Sequence, residues 1–529
     1  MPRPGFVLEV DERTPPLLVN EGEGYRMQRF PLGTKVIYPP DALPGVEDLN
    51  GHIRHALLNP TGDSKPLPEL LFAGMKLTIA VDDISLPLPP MVTPDVRQRV
   101  LEHVIELAAR AGVDDLEIVV ATALHRRMTA SEIRRMVGER VFRSFWPKAL
   151  YNLDAEDATN MTIVGQTDQG ETVQIQKRAA DSDLIVYVNI NLVAMDGGHK
   201  SVAIGLAGYE SLKHHHNVNT MLHSKSYMDP REGHSAINDS TVRMGRYLAA
   251  NGVKVFQIET TLNSETFPGQ LGFLNKREWE WSAKDQAVMV PTKKANDLAP
   301  PRIRREFFRK IEAPYKVTGI NAGEVEAVHE RTLENLHRQQ LVDVEGQADI
   351  AIFGLPYLGP YNVNSVLNPI LVHCLGLGYL FNMYRNKPIV REGGVAILFH
   401  PVPWEFNTIH HPSYIDFFEE VLAETTDPKQ IEATFEERYA RDPWYIHLYR
   451  TSHAYHGVHP FYMWYWGAHG RDHCGDVIIV GGEPKSVARL GYRRADSLRD
   501  ALEMAKDTVG SSPSITYFHA PPLMIADVK

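Results

Sequence analysis

The chain has 529 residues, 43% hydrophobic and 23% charged, enough material for two or three domains that each bury a core of their own. Its net charge of −11 comes from 66 acidic against 55 basic residues, with no basic tract to follow a phosphate backbone, which argues against nucleic acid as a partner. Cys374 and Cys474 alone make neither a disulfide framework nor a tetrahedral zinc site, Met1 to Val10 lacks the apolar run of a signal peptide, and no window approaches the ~18 apolar residues of a membrane span, so the expectation is a reducing, cytoplasmic setting away from membranes.

Apolar, β-branched runs alternate with helical patterns, the signature of parallel sheets covered by helices. The first unit is a strand from Leu77 to Val81 ending in Asp82 and Asp83. A helix follows, with Thr93 as N-cap, Pro94 at its first position, an apolar stripe of Val96, Val100, Val104 and Leu107, and Gly112 as its stop. A strand from Leu116 to Thr122 runs into His125, after which Thr129 and Glu132 form a capping box. Strands are also expected at Asp183 to Asn189 and Val253 to Ile258. The polar stretch 263–314 has weak periodicity and reads as an insertion or lid. Beyond Tyr315 come strands at Asp349 to Phe353, Val395 to Phe399 and Asp476 to Val480, and a helix from about Asp496 to Thr508. The expected architecture is therefore α/β: two α/β domains with mainly parallel sheets flanked by helices and an active site in the interdomain cleft. The expected division is 1–330, an N-terminal cofactor-binding domain with an insertion at about 263–314, and 331–529, a C-terminal α/β domain.

Three strand-end loops hold the residues with chemistry: Asp82-Asp83-Ile84-Ser85-Leu86-Pro87, Ala121-Thr122-Ala123-Leu124-His125-Arg126-Arg127-Met128-Thr129, and Gly197-Gly198-His199-Lys200-Ser201. Open α/β sheets bind ligands outside the carboxyl ends of their strands, so loops in this position form a candidate site. Each one alone is equally a turn before a capped helix. Lys200 follows two glycines, where backbone can approach a ligand closely. Sixteen residues on, His216 ends the run His214-His215-His216, which is either a solvated surface cluster or a source of a neutral imidazole suited to nickel.

In order, spacing and strand context these loops resemble the lactate racemase family, which has Asp-Ile-Thr-Arg-Pro, Ala-Thr-Gly-x-His-Arg-x-Met-Thr, and Gly-Gly-Arg-Lys-Ser with a histidine sixteen residues beyond the lysine. The likeness continues through Asn321-Ala322-Gly323-Glu324 and Asp349-Ile350-Ala351-Ile352 to Gly491-Tyr492. The resemblance implies a nickel-pincer nucleotide, a pyridinium-3-thioamide-5-thiocarboxylate mononucleotide carrying nickel, tethered to Lys200 with His216 as the protein ligand to the metal. It implies His125 as acid/base, Asp83 as the carboxylate that orients it, and Ser85, Thr122, Gly197 and Gly198 as cofactor-binding positions. The implied reaction is isomerisation of a 2-hydroxy acid by reversible hydride transfer through a keto intermediate, with a small-molecule hydroxy-acid substrate and cofactor-synthesis proteins as partners. No oligomeric state is indicated.

The departures bear on substrate and on the second base. Leu86 stands where the family has an arginine able to fork onto a carboxylate, and Asn364, Ser365 and Asn368 stand where it has tyrosine, glutamine and lysine. These neutral groups suit hydroxyls, so Leu86, Asn364, Ser365 and Asn368 as substrate-binding positions point to a polyhydroxylated (sugar) acid rather than lactate. The family's second histidine, ten residues before the lysine, is Ile190 here, which leaves His199 and His215 as the nearest candidates for an opposite-face base. The aromatic segment His453 to Trp466 is either part of the pocket or a core element. Two other classes of function fit the same residues: an oxidoreductase that releases the keto product, and a carrier of the nickel nucleotide. The strand-end His125 argues against the carrier.

Overall fold

A computed structural model describes residues 1–85 and 89–529, so Leu86 lies outside the described residues. Two sheets organise the chain. The first runs in the order Val317–Gly323, Val255–Leu262, Leu184–Asn191, Lys76–Asp82, Asp115–Ala121, Leu150–Asn152, parallel throughout except for the antiparallel Val317–Gly323. All residues of Leu184–Asn191 are buried, as expected of a central parallel strand covered on both faces. From Lys76–Asp82 the chain builds outward to Leu150–Asn152 and then returns to the other side through Leu184–Asn191. The strand order therefore reverses between Lys76–Asp82 and Leu184–Asn191, and a crevice opens there at the carboxyl ends.

The second sheet runs Phe6–Glu9, Lys35–Tyr38, Ile515–Phe518, Ala348–Gly354, Val390–Phe399, Asp476–Val480, Arg493–Ala495, again parallel apart from its first strand. Residues assigned by sequence to the first unit thus hydrogen-bond into the second: Val36 pairs with Tyr517. A four-residue strand carries too little pattern to announce a partner so far along the chain.

The helix after the first strand spans Val96–Arg110, and its cap is Asp95, not Thr93. The Asp95 carboxylate accepts the Arg97 amide at 2.9 Å and also binds the Arg97 guanidinium, so cap and ion pair are made by one group two residues further on. Gly112, at φ +75°, stops the helix, and the Thr129–Glu132 capping box is present. No helix among the described residues is long and apolar enough to cross a membrane.

The stretch 263–314 is ordered into Ala283–Leu298, Pro301–Arg309 and shorter 3-10 turns. Its buried face (Phe267, Leu271, Phe273, Leu274, Phe308) packs on Leu18, Tyr25, Tyr357, Leu358 and Val363. It is pinned by Glu278, whose carboxylate accepts from the Leu18 amide at 2.8 Å, the Tyr38 hydroxyl at 2.8 Å and His519 Nε2 at 2.7 Å. Burial alone would raise the Glu278 pKa; His519 and the two other donors outweigh it and hold the group below its usual range. Replacing Glu278 with Ala strands three buried partners and should cost about 3–5 kcal/mol at neutral pH, measured by denaturant unfolding. Because the folded pKa is depressed, the wild-type advantage is full above the ordinary carboxylate range and should vanish as pH falls through the folded value. A constant difference across acid pH would contradict this account.

Candidate functional site

The crevice at the strand-order reversal contains a cavity of about 140 Å3 whose wall brings together Asp83, Ser85, His125, Gly197, Lys200 and His216. Asp82, Tyr187, Asn189 and Asp196 line it from the first sheet, and Tyr361, Tyr379 and Trp466 line it from the C-terminal half of the chain.

His125 leaves the end of the strand Asp115–Ala121, and its Nδ1 lies 3.0 Å from Asp83 Oδ2. Asp83 also accepts the Ser85 amide and hydroxyl, both at 3.0 Å. Burial opposes ionisation of Asp83, but His125 and Ser85 more than compensate and keep its pKa low. The carboxylate therefore fixes the His125 tautomer with the proton on Nδ1, leaving the Nε2 lone pair as the basic site. Tyr361 and His459 stand 5.2 and 5.5 Å from the His125 ring. Between strand and histidine, Ala123 adopts φ +47°, a left-handed conformation at the position where the resembling motif has glycine.

Asp82, one residue before Asp83, accepts from Asn189 Nδ2 at 3.0 Å and the Ile190 amide at 2.8 Å. Burial wins here and pushes its pKa up to about 7. Asp196 is likewise raised by burial, although Lys200 Nζ is 3.6 Å away.

The loop bearing Lys200 is held by a group that the sequence reading overlooked. Glu259, fully buried, accepts the Gly198 amide at 2.6 Å and faces His329 Nδ1 at 3.1 Å. A Cβ at Gly197 would fall 2.5 Å from that carboxylate, and both glycines have positive φ (+93° and +57°), so only glycine passes. The signal was present in the sequence as the one charged residue of the strand Val255–Leu262.

His216 reaches the cavity from the turn after Tyr209–Leu212. Its Nδ1 is 2.7 Å from His215 Nδ1, and its ring lies against Tyr462 and Trp466 at 5.1 and 5.6 Å. Burial drives its pKa well below the ordinary value, so it is a neutral imidazole. No group of three or more His, Cys, Asp or Glu among the described residues is placed to hold a metal ion.

Other expected positions lie elsewhere. Thr122 is buried, with its hydroxyl 3.4 Å from the Leu153 carbonyl. Gly198 and His199 line a neighbouring hollow, where His199 Nε2 meets Glu326 at 2.9 Å; His215 sits buried behind His216. Asn364 donates to Glu132 at 2.7 Å, Ser365 faces His411 at 3.3 Å, and Asn368 caps the helix Pro369–His373; none of the three lines the cavity. Their neighbour Tyr361 does. The aromatic segment is both things at once, since His459–Trp466 is wholly buried and Trp466 reaches the cavity wall.

Residues 24–229 match the lactate racemase N-terminal domain family. Over this stretch the chain is similar to the lactate racemase family. A lactate racemase from Thermoanaerobacterium thermosaccharolyticum is 26% identical over 168 residues, 31% of this chain and 37% of that protein, so the alignment spans well under half of the relative. The apoprotein structure of lactate racemase from the same organism shares the fold, with a TM-score of 0.58 at 16% identity over 97% of this chain and 99% of that one. A crystal structure of a Thermotoga maritima protein aligns at 13% identity and a TM-score of 0.48, over 91% of this chain and 98% of that one.

Replacing Glu259 with Gln keeps shape but removes the charge that the Gly198 amide and His329 share. Amide exchange at Gly198 should accelerate by at least tenfold while the strand Lys76–Asp82 stays protected. Unchanged protection at Gly198 would mean that the loop is held by other contacts.

Proposed function

We propose that this protein is a racemase or epimerase that inverts a hydroxyl-bearing carbon by reversible hydride transfer, using a nickel-pincer nucleotide tethered to Lys200 and ligated by His216. The observation that carries the reading is the convergence of Lys200, His125 and His216, from three separate stretches of sequence, on one cavity at the strand-order reversal.

The donor set suits such a group. A metal bound here has one neutral imidazole and no further cluster of protein ligands among the described residues, so it must bring most of its ligands with it. Lys200 lines the cavity, and the glycines before it let the backbone close onto Glu259 and His329, which fixes the turn that carries it. The cavity, about 140 Å3, is smaller than the ~300–1,000 Å3 usual for ligand sites, so loading a nucleotide requires the crevice to widen. When bound, the cofactor supplies a reversible hydride acceptor.

The chain's own residues then govern the proton. His125 Nε2 takes the substrate's hydroxyl proton as the carbinol hydrogen leaves with its electron pair, and a planar carbonyl results. Asp83, ionised and bonded to Nδ1, stabilises the imidazolium that forms. Return of hydride to the opposite face and of a proton to oxygen gives the epimer with no net redox change. Tyr361, Tyr379 and Trp466 cover the site and exclude water from the carbonyl stage.

Intact-mass measurement of protein coexpressed with cofactor-synthesis enzymes tests the assignment. Lys200→Ala should lose the adduct and keep the fold; an adduct that persists refutes the tether. His216→Ala should lose nickel while His214→Ala keeps it, and equal losses would mean a nonspecific histidine cluster.

A further inference from the structure

The cavity wall is rich in acceptors and poor in cations. It holds three carboxyl groups, Asp82, Asp83 and Asp196, against one ammonium, Lys200, and no arginine lines it among the described residues. Residues 86–88, beside Ser85, are Leu, Pro and Leu and bring no charge. The nearest guanidinium groups are committed elsewhere. Arg97 is paired with Asp95 at 2.7 Å and donates to the backbone carbonyls of Asp82 and Asp83 from behind; Arg126 is paired with Glu132 at 2.7 Å. On the epimerase reading, the charge of Lys200 is itself consumed by the tether.

A ligand carboxylate in this space would meet the Asp83 anion, would meet Asp82 and Asp196 as like charges whenever they are ionised, and would find no forked donor to hold it. It could not donate a hydrogen bond to any of the three aspartates. A ligand made of hydroxyl groups meets the opposite situation. Each O–H can donate to a carboxylate oxygen, a charge-assisted bond roughly twice as strong as a neutral one. The paired Tyr361 and Tyr379 hydroxyls, 2.9 Å apart, both donate and accept, and Trp466 adds an apolar part to the wall.

We propose that the substrate is a neutral polyhydroxylated compound, a sugar or cyclic polyol with a secondary alcohol to invert, and not a hydroxy acid. This rests on the epimerase reading for the chemistry, but its charge argument stands on the cavity wall alone. It also departs from the expectation drawn from Asn364, Ser365 and Asn368, which stand outside that wall.

The test uses cofactor-loaded protein and matched probes: neutral hexoses, pentoses and inositols against the corresponding aldonates and lactate, each deuterated at the carbinol carbon, with titration calorimetry in parallel. The expected result is an epimer of a neutral probe that retains deuterium, with kcat/KM at least tenfold above that of its acid partner. Tyr379→Phe should weaken neutral-probe binding roughly 2–10-fold while leaving acids unaffected. Preferred turnover of an acid overturns the proposal and leaves the epimerase reading intact. If no probe exchanges label but neutral probes still bind at least tenfold tighter than their acids, the site assignment holds and the epimerase reading falls. Equal or tighter binding of the acids overturns the assignment itself.

Discussion

One buried carboxylate sets the geometry of the Lys200 loop. Glu259 has no solvent of its own, and burying a charge in that way is tolerable only when donors surround it. The donors are the Gly198 amide, His329 and the Gln257 amide, the last at 3.2 Å. His329 pays part of this: burial would lower its pKa, yet Glu259 outweighs burial and raises it. The two glycines accordingly serve a purpose different from the one their sequence suggests. They admit the protein's own carboxylate to the backbone, and Lys200 is presented to the cavity because the turn before it is pinned from below.

The other side of the cavity is built by the C-terminal half of the chain gripping the loop that carries His125. The Tyr449 hydroxyl donates to the Ala123 carbonyl at 2.8 Å, the His456 amide to the Leu124 carbonyl at 3.2 Å, and His453 Nδ1 approaches the Arg127 carbonyl at 2.9 Å. Such bonds satisfy backbone groups that a strand-end loop would otherwise leave buried and unpaired. They also explain how Ala123 persists at φ +47°, since the surroundings hold the conformation on both sides. Asn364 belongs to the same grip through Glu132, which is why a position that sequence pattern places in the pocket turns out to join the two halves. On the proposed reading, widening the crevice for a nucleotide would loosen part of this set.

The central strands were legible because strands buried on both faces are written as unbroken apolar runs, and Asp476–Val480 falls where that run lies. Phe6–Glu9 and Lys35–Tyr38 were not legible in their pairing, because four residues of pattern cannot specify a neighbour at Ile515–Phe518. The same contrast divides the site. Lys200, His125, Asp83 and His216 stand in compact motifs whose spacing survives in sequence. Tyr361, Tyr379 and Trp466 meet only through the tertiary fold, with no spacing to betray them. Asp95 took the cap from Thr93 for an energetic reason, since its carboxylate serves both a backbone amide and the Arg97 guanidinium.

The consecutive aspartates at the end of Lys76–Asp82 carry the division of labour in the cavity. Adjacent residues at a strand end face different surroundings. Asp83 meets His125 and the Ser85 hydroxyl, which favour its charge, while Asp82 meets an amide side chain and one backbone amide, which do not offset the loss of water. Two identical side chains thus end with opposite tendencies: one stays an anion that fixes a base, and the other is poised near neutrality. A poised carboxyl group can accept a hydroxyl hydrogen when ionised and donate one when protonated, so it suits a ligand whose groups do both. A carboxylate ligand could use only the protonated form and would itself raise the cost of the ionised one, which fits the proposed preference for a ligand made of hydroxyl groups.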